Sequence, residues 1–350
     1  MRVLSGCSLE ELVQILAPLS PYKAGEVFKW ISRGARGFEG MTSLGKRERE
    51  DLSRRFTIRS TGRGGPLADR DGTVKLRITL RGAAAEAVLL RDKNGRGTAC
   101  ISSQAGCSVG CVFCKTGSLG FLRNLDAAEM VEQFLHIREI GAEQGTEVTH
   151  LVVMGMGEPL LNLGELRRAA GIIMDPRGLG VSWRRITVST SGIIAGIRKL
   201  ADSGPPLRLA FSLTSAREEL RNALIPSARD NPLKRIKDAL VYYRQKTGRR
   251  ITLEAVLLGG INTGAEEASA IRDFARGLDA VVNLIPWNPV EGLMFQGRAL
   301  REPSPAETEA FIRLLRREGL KVTRRFRRGR GVSGACGQLG WKTGDPDSAF

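Results

Sequence analysis

Thr98-Ala99-Cys100-Ile101-Ser102-Ser103-Gln104-Ala105-Gly106-Cys107-Ser108-Val109-Gly110-Cys111-Val112-Phe113-Cys114 carries the most informative pattern in this 350-residue chain. A strand-like run over 98–103 leads into a tight loop with cysteines spaced C-x3-C-x2-C. The loop offers three thiolates and no obvious fourth. Iron–sulfur clusters are normally held by four cysteines, so three leave one iron open to an exogenous ligand. A structural zinc site wants four closed ligands, usually with a second C-x2-C half. No such half is present, and the only histidines are His136 and His150. A cluster is the preferred reading, with zinc or three unrelated buried thiols as the alternatives.

Downstream of this loop, apolar runs alternate with segments of helical periodicity. The pattern predicts strands at 98–103, 148–154, 185–189, 207–213, 250–257 and 280–285. Helices are expected between them at 126–140, 164–174, 193–201, 232–246 and 266–276. Such alternation specifies an α/β fold with a parallel sheet and right-handed crossovers, as an open sheet or a partial barrel. Sites in these folds lie at the C-terminal ends of the strands. There the sequence places the cysteine loop, Gly155-Met156-Gly157-Glu158-Pro159, Ser189-Thr190-Ser191-Gly192, Ser212-Leu213-Thr214 and Ile285-Pro286-Trp287-Asn288-Pro289.

The flanks differ in character. Residues 1–60 show helical spacing (Leu9, Leu12, Val13, Leu16; Val27, Trp30, Ile31) and suggest a small helical domain. Residues 61–97 hold two strand-like runs, Val74 to Leu80 and Glu86 to Leu90, which read as a short β adaptor with a hairpin. The barrel segment is set at 98–300, and 301–350 forms a C-terminal extension carrying Cys336. That extension is expected to contain a helix near 305–317 and a strand at 320–323, followed by a run of five arginines between 324 and 330.

Lys and Arg total 54 against 37 Asp and Glu, a formal charge of +17, which calls for a polyanionic partner and points to nucleic acid. With three Tyr and twelve Phe, open single-strand stacking platforms are not the expected means of binding. No apolar run approaches the roughly 20 residues a bilayer span needs, so no membrane association is expected. Glu10 and Glu11 stand where a signal peptide would be apolar. The six cysteines, three of them crowded into one loop, fit a metal or redox site in a reducing compartment, and the cytoplasm is expected.

The cysteine motif with Phe113, followed by Gly-Glu-Pro, is similar to the signature of radical S-adenosylmethionine (SAM) enzymes. The chain as a whole resembles the RlmN/Cfr family of RNA adenine methyltransferases. Ser102 to Cys107, Gly155 to Asn162, Ser189 to Gly192, Ile285 to Pro289 and Ala335-Cys336-Gly337-Gln338-Leu339 carry the resemblance, in the family's order. It implies a partial (βα)6 barrel of the radical SAM type, and it covers roughly residues 86 to 340.

By that resemblance, Cys107, Cys111 and Cys114 bind one 4Fe-4S cluster whose open iron is ligated by SAM. Gly157 and Glu158 look like the pair that contacts the methionine amine, a task suited to a carboxylate. Ser189, Ser212, Leu213, Thr214 and Asn288 look like further cofactor contacts. Cys336 corresponds to a methyl-accepting cysteine and Cys100 to its partner in a transient disulfide; Glu86 lies where the family places a general base. The implied reaction uses two SAM molecules per turnover, one to methylate Cys336 and one as the radical source. A radical route suits the electron-poor ring carbon of adenine, which ordinary displacement does not methylate.

The implied substrate is adenine in 23S ribosomal RNA, with transfer RNA for some members, and carbon 2 is favoured over carbon 8. An electron-donating reductase system is the implied partner, and a monomer is the default state. Two positions depart from the family pattern: Thr214 stands where His is usual, and the segment before Cys336 is rich in arginine. Lys23, Lys29, Arg33 and Arg36, the strip Lys46 to Arg55 and the arginine run are the expected RNA surface.

Overall fold

In a computed structural model, residues 1–92, 94–325 and 327–340 are described. Phe326 in the arginine run and residues 341–350 of the expected C-terminal extension lie outside the described residues.

Each predicted strand forms, shifted by a residue or two at its ends. Gly97–Ile101, Val148–Val153, Ile186–Thr190, Arg208–Ser212, Ile251–Leu257 and Ala280–Pro286 lie side by side in chain order, followed by the short Val322–Arg324. All are parallel, with registers such as Val152 beside Cys100, Ser189 beside Ala210 and Leu253 beside Val282. Chain-order neighbours joined by helices are what consecutive right-handed crossovers produce. The sheet path ends at two different edge strands, so the wall is a partial barrel. Strand Ile186–Thr190 alternates buried and half-buried residues, as β-branched residues on a pleated wall do.

The expected hairpin, Val74–Leu80 with Ala83–Arg91, pairs antiparallel with the first barrel strand and so continues the same sheet. This puts Val88 beside Cys100 and buries Glu86 in the body of the protein.

Helix starts follow local chemistry. Helix Ala127–Glu143 opens on a reciprocal cap: Glu129 N–H donates to Asp126 at 2.8 Å, and Asp126 N–H donates to Glu129 at 3.0 Å. Helix Pro305–Arg317 uses Ser304 and Glu307 in the same way, with proline in its first turn.

The N-terminal helices Leu9–Ile15, Pro21–Ser32 and Lys46–Arg55 share one hydrophobic core with the barrel. Buried Glu132 fixes this docking, because its carboxylate accepts from Ser5 Oγ at 2.5 Å, Ser60 N–H at 3.0 Å and Thr61 N–H at 2.7 Å. A second, smaller apolar cluster, containing Val109, Phe113, Ile225 and Trp287, lies beneath the cysteine loop. Among the described residues no helix is long and apolar enough to cross a membrane.

Candidate active site

Two adjoining cavities open at the C-terminal ends of the parallel strands. The larger, about 970 Å³, is lined by Cys107, Cys111 and Cys114 from the first loop and Gly157 and Glu158 from the second. Ser189, Ser212, Thr214 and Asn288 complete it from the later strand ends. The smaller, about 530 Å³, is lined by Cys100, Met154, Arg325 and Leu339. Asn288 and Cys336 border both.

The cysteine loop is held from both sides. Cys107 N–H donates to Gly120 O at 2.8 Å, Val112 N–H to Leu224 O at 3.1 Å, and the buried Trp287 indole to Phe113 O at 2.8 Å. Burial pushes the Cys107 thiol up to about 12, and it raises Cys111 and Cys114 as well. Three thiolates facing one cavity therefore require a cationic centre to stabilise them. Among the described residues no three His, Cys, Asp or Glu side chains close on a single metal-ion position. Three thiols from one loop facing a common cleft suit a cluster.

Gly155 and Gly157 let the second loop press against the first strand's exit. A Cβ on Gly155 would meet Ser102 Oγ at 2.6 Å, and one on Gly157, whose φ is +100°, would meet Gln104 Cβ at 2.5 Å. Glu158 follows at once and is buried. Its carboxylate accepts from Ser191 N–H at 2.7 Å and Leu160 N–H at 3.0 Å, clamping the second loop to the third. Burial raises the Glu158 carboxyl above its ordinary range, which an adjacent ammonium would reverse.

Ser189 Oγ and Ser212 Oγ stand 3.2 Å apart across neighbouring strands. Thr214 adopts a left-handed φ of +56° and directs its side chain into the larger cleft, with its amide donating to Glu254 O at 3.0 Å. Thr214 Oγ1, Ser191 Oγ and Asn288 Oδ1 are buried without a hydrogen-bond partner. Leaving such atoms unmet costs about 1–3 kcal/mol each, and all three residues border the larger cleft. A polar ligand rich in donors and acceptors, such as SAM, fits that lining. Leu213 is the exception among the expected contacts: its side chain is fully buried in the core, and its backbone lies just past the exit of strand Arg208–Ser212.

That backbone is held by Arg221, which no sequence motif marked. Its guanidinium is fully buried and donates to Ser212 O at 2.8 Å, Ser191 O at 2.5 Å and Leu213 O. It also lies over the Phe211 ring, 4.8 Å from the centroid. An arginine on the inward face of a short helix just after a strand-end motif is the available signal.

Cys336 arrives from the other end of the chain. Its carbonyl accepts from Asn288 Nδ2 at 3.0 Å, Lys115 N–H donates to Gly337 O at 2.8 Å, and Gln338 Nε2 donates to Pro289 O at 2.9 Å. All six cysteines are free thiols. Burial pushes Cys100 up to about 12, with the nearby Cys336 charge adding to the effect. Cys7 is buried in the N-terminal core.

Glu86, the expected general base, has both carboxylate oxygens engaged. One carboxylate oxygen pairs with Lys75 at 2.9 Å and the other accepts from Gly340 N–H at 2.7 Å. It is not among the described residues that line either cavity. In this geometry Glu86 anchors the segment behind Cys336.

The arginine run also differs from a solvated tail. Arg325 is half-buried, lines the smaller cavity with Cys100 and Cys336, and lies 4.0 Å from Glu254. Arg324 pairs with Glu309 at 2.8 Å, and Glu302 takes both Arg327 and Arg330. The sequence could not show these acids, because they lie on the preceding helix and the segment leading to it.

The Radical SAM superfamily model matches residues 101–272. A protein of Treponema pallidum named "Probable dual-specificity RNA methyltransferase RlmN" is 45% identical over 97% of this chain and 98% of its own length. The chain belongs to the RlmN family of radical SAM RNA methyltransferases. A Thermus thermophilus protein of the same name is 40% identical over 96% of the chain and 94% of its own length. A solved radical SAM methyltransferase from Sphaerobacter thermophilus superposes with a TM-score of 0.92 at 36% identity, covering 97% of this chain and 99% of that one. Membership implies a 4Fe-4S cluster and SAM as cofactors, and the three thiols and the unmet polar atoms of the larger cleft suit them.

Proposed function

We propose that this enzyme methylates carbon 2 of an adenine in 23S ribosomal RNA, and in transfer RNA, through a methyl group carried on Cys336. The observation that supports the reading is the position of Cys336, which borders both the cleft of Cys107, Cys111 and Cys114 and the cavity of Cys100. When bound, the cluster and SAM supply an electron, a methyl group and a carbon radical at this junction. Cys107, Cys111 and Cys114 hold the cluster; Gly157, Glu158, Ser189, Ser212, Thr214 and Asn288 bind SAM, with the Leu213 backbone shaping the wall.

Cys336 Sγ accepts the methyl and presents it to the base. Asn288 fixes the Cys336 carbonyl, so the sulfur has a defined approach to both cavities. Cys100 closes the cycle: attack of its thiolate on the Cys336 sulfur breaks the bond from that sulfur to the one-carbon bridge on the base, the carbon keeps the electron pair and takes a proton to become the methyl group, and a Cys100–Cys336 disulfide is left. Two electrons from a reductant restore both thiols. One SAM serves as methyl donor and a second as radical source in each turnover. A monomer in the cytoplasm, served by an electron-donating reductase system, completes the reading.

The deciding measurement is nucleoside mass spectrometry of unmodified ribosomal and transfer RNA after anaerobic incubation with cluster-reconstituted protein, SAM and reductant. The expected product is 2-methyladenosine. Formation of 8-methyladenosine moves the ring carbon, and SAM cleavage with no methyladenosine overturns the substrate. Retained methylation in Cys336→Ala overturns the carrier.

A further inference from the structure

The charge expected to meet RNA is partly neutralised within the protein, although Arg33, Lys46, Arg47 and Arg49 have no carboxylate partner among the described residues. Lys23 pairs with Glu48, Lys29 with Glu26, Arg36 with Glu139, and Arg54 and Arg55 with Asp51. A further group of arginines stands at the N-terminal ends of the central barrel strands. The turn Trp183–Arg185 leads into strand Ile186–Thr190; Arg208 opens the next strand, and Arg249 and Arg250 precede the one after. Arg208 stands beside Thr187 in register, which makes these strand starts one continuous surface.

The guanidiniums of Arg184 and Arg249 both lie over the Trp183 ring, 4.5 Å and 3.8 Å from its centroid. Arg249 Nε is buried and without a hydrogen-bond partner. Arg184, Arg185, Arg208 and Arg250 are exposed. Among the described residues none of these five arginines has a carboxylate partner. At the margin Asp279 pairs with Arg244 at 3.0 Å and Asp92 with Arg96 at 2.7 Å, while exposed Glu147 precedes the neighbouring strand Val148–Val153. The field is felt locally: burial lowers the His150 pKa, and Arg96, Arg185 and Arg208 lower it further.

We infer that this surface is a second RNA-binding site, one that grips phosphates of the substrate away from the target base. The inference rests on the RNA reading above and extends it to a face nothing there uses. Five guanidiniums without counter-charges repel one another unless an anion lies among them. Guanidinium forks match phosphate oxygens in bidentate geometry. Trp183 holds two of the forks in place, so less freedom is lost when phosphates bind. The five-residue strand Ile186–Thr190 puts the surface roughly 16 Å from the active-site cleft at a rise of about 3.3 Å per residue. An RNA that meets both faces must be structured and large, as ribosomal RNA is.

The test is salt-dependent binding of a domain-sized 23S ribosomal RNA fragment to the full-length, cluster-loaded protein. The variant carries Arg184→Gln, Arg185→Gln, Arg208→Gln and Arg250→Gln, all exposed positions outside the catalytic machinery. The slope of log affinity against log salt is expected to shrink by about 2–3, at roughly 0.7–0.9 for each phosphate no longer neutralised, with affinity near 0.1 M salt falling at least about tenfold. The fourfold lysine variant, which keeps the charge, is expected to recover most of the slope. SAM cleavage without RNA should be unchanged in both, which establishes that the fold and the site are intact. Unchanged slope and affinity in the glutamine variant overturn the second site alone and point to an acidic protein as the occupant. Failure of the wild-type protein to bind RNA overturns both this inference and the functional reading beneath it.

Discussion

Asn288 Nδ2 donates to the carbonyl of Cys336 at 3.0 Å, joining the exit of the sixth barrel strand to a loop 48 residues later in the chain. The other end of the same amide, Oδ1, is buried and unpaired, and the residue borders both cavities. One side chain thus positions the proposed methyl carrier and offers an acceptor to the cofactor. Asn288→Ala is expected to slow methylation of Cys336 by about tenfold to a hundredfold, equivalent to the roughly 1–3 kcal/mol of a lost buried hydrogen bond. Intact-protein mass spectrometry over time checks this; an unchanged rate removes Asn288 from the positioning role.

Arg221 satisfies three carbonyls at the ends of two strands, Ser191, Ser212 and Leu213, from a fully buried position. Arg221→Ala leaves those oxygens without their donor and opens a cavity. A loss of about 3–4 kcal/mol in chemical denaturation is expected, together with weakened SAM binding. Wild-type stability in the variant would show that water replaces the guanidinium.

Glu158 predicts a pH dependence. Burial raises its pKa, so the carboxylate that would face the SAM ammonium is progressively protonated as pH falls through that raised value. SAM affinity measured by equilibrium dialysis is expected to be weaker near pH 5 than near pH 7.5. In Glu158→Gln affinity should fall and this pH dependence should disappear; a retained dependence assigns it to another group.

Cys100 and Cys107, both raised to about 12 by burial, make the cluster-free protein sensitive to alkali. Their folded pKa values lie above the unfolded ones. The stability they confer is complete below the unfolded thiol pKa and is lost as pH rises from about 9 toward 12. Denaturant midpoints should drop across that window. Alanine at both positions should flatten the drop, and an unchanged drop would place its origin elsewhere.

Glu302 holds Arg327 and Arg330 in the segment leading to Cys336. Glu302→Gln frees both arginines and loosens that segment. Slower Cys336 methylation with unchanged SAM affinity is the expected split, and equal losses in both would show a general structural defect.

The sequence by itself determined the parallel barrel and most of the site. Apolar runs alternating with helical periodicity set the order of the strands, and the site motifs sit at strand exits, where backbone hydrogen bonding ends and side chains are free to face a ligand. Cys107, Cys111 and Cys114 lie within one loop, so their convergence is a local property that spacing reveals. The tertiary structure alone decided the rest, because those features depend on partners distant in the chain. Arg221 looks like an ordinary surface cation until the fold buries it, and Glu86 looks like a free carboxylate until Lys75 and Gly340 close on it. The charge on the RNA face follows the same rule. A count of arginines does not show which have acids beside them, and only the packing of helices and strand ends leaves Arg184, Arg185, Arg208 and Arg250 without carboxylate partners among the described residues while pairing Arg324, Arg327 and Arg330.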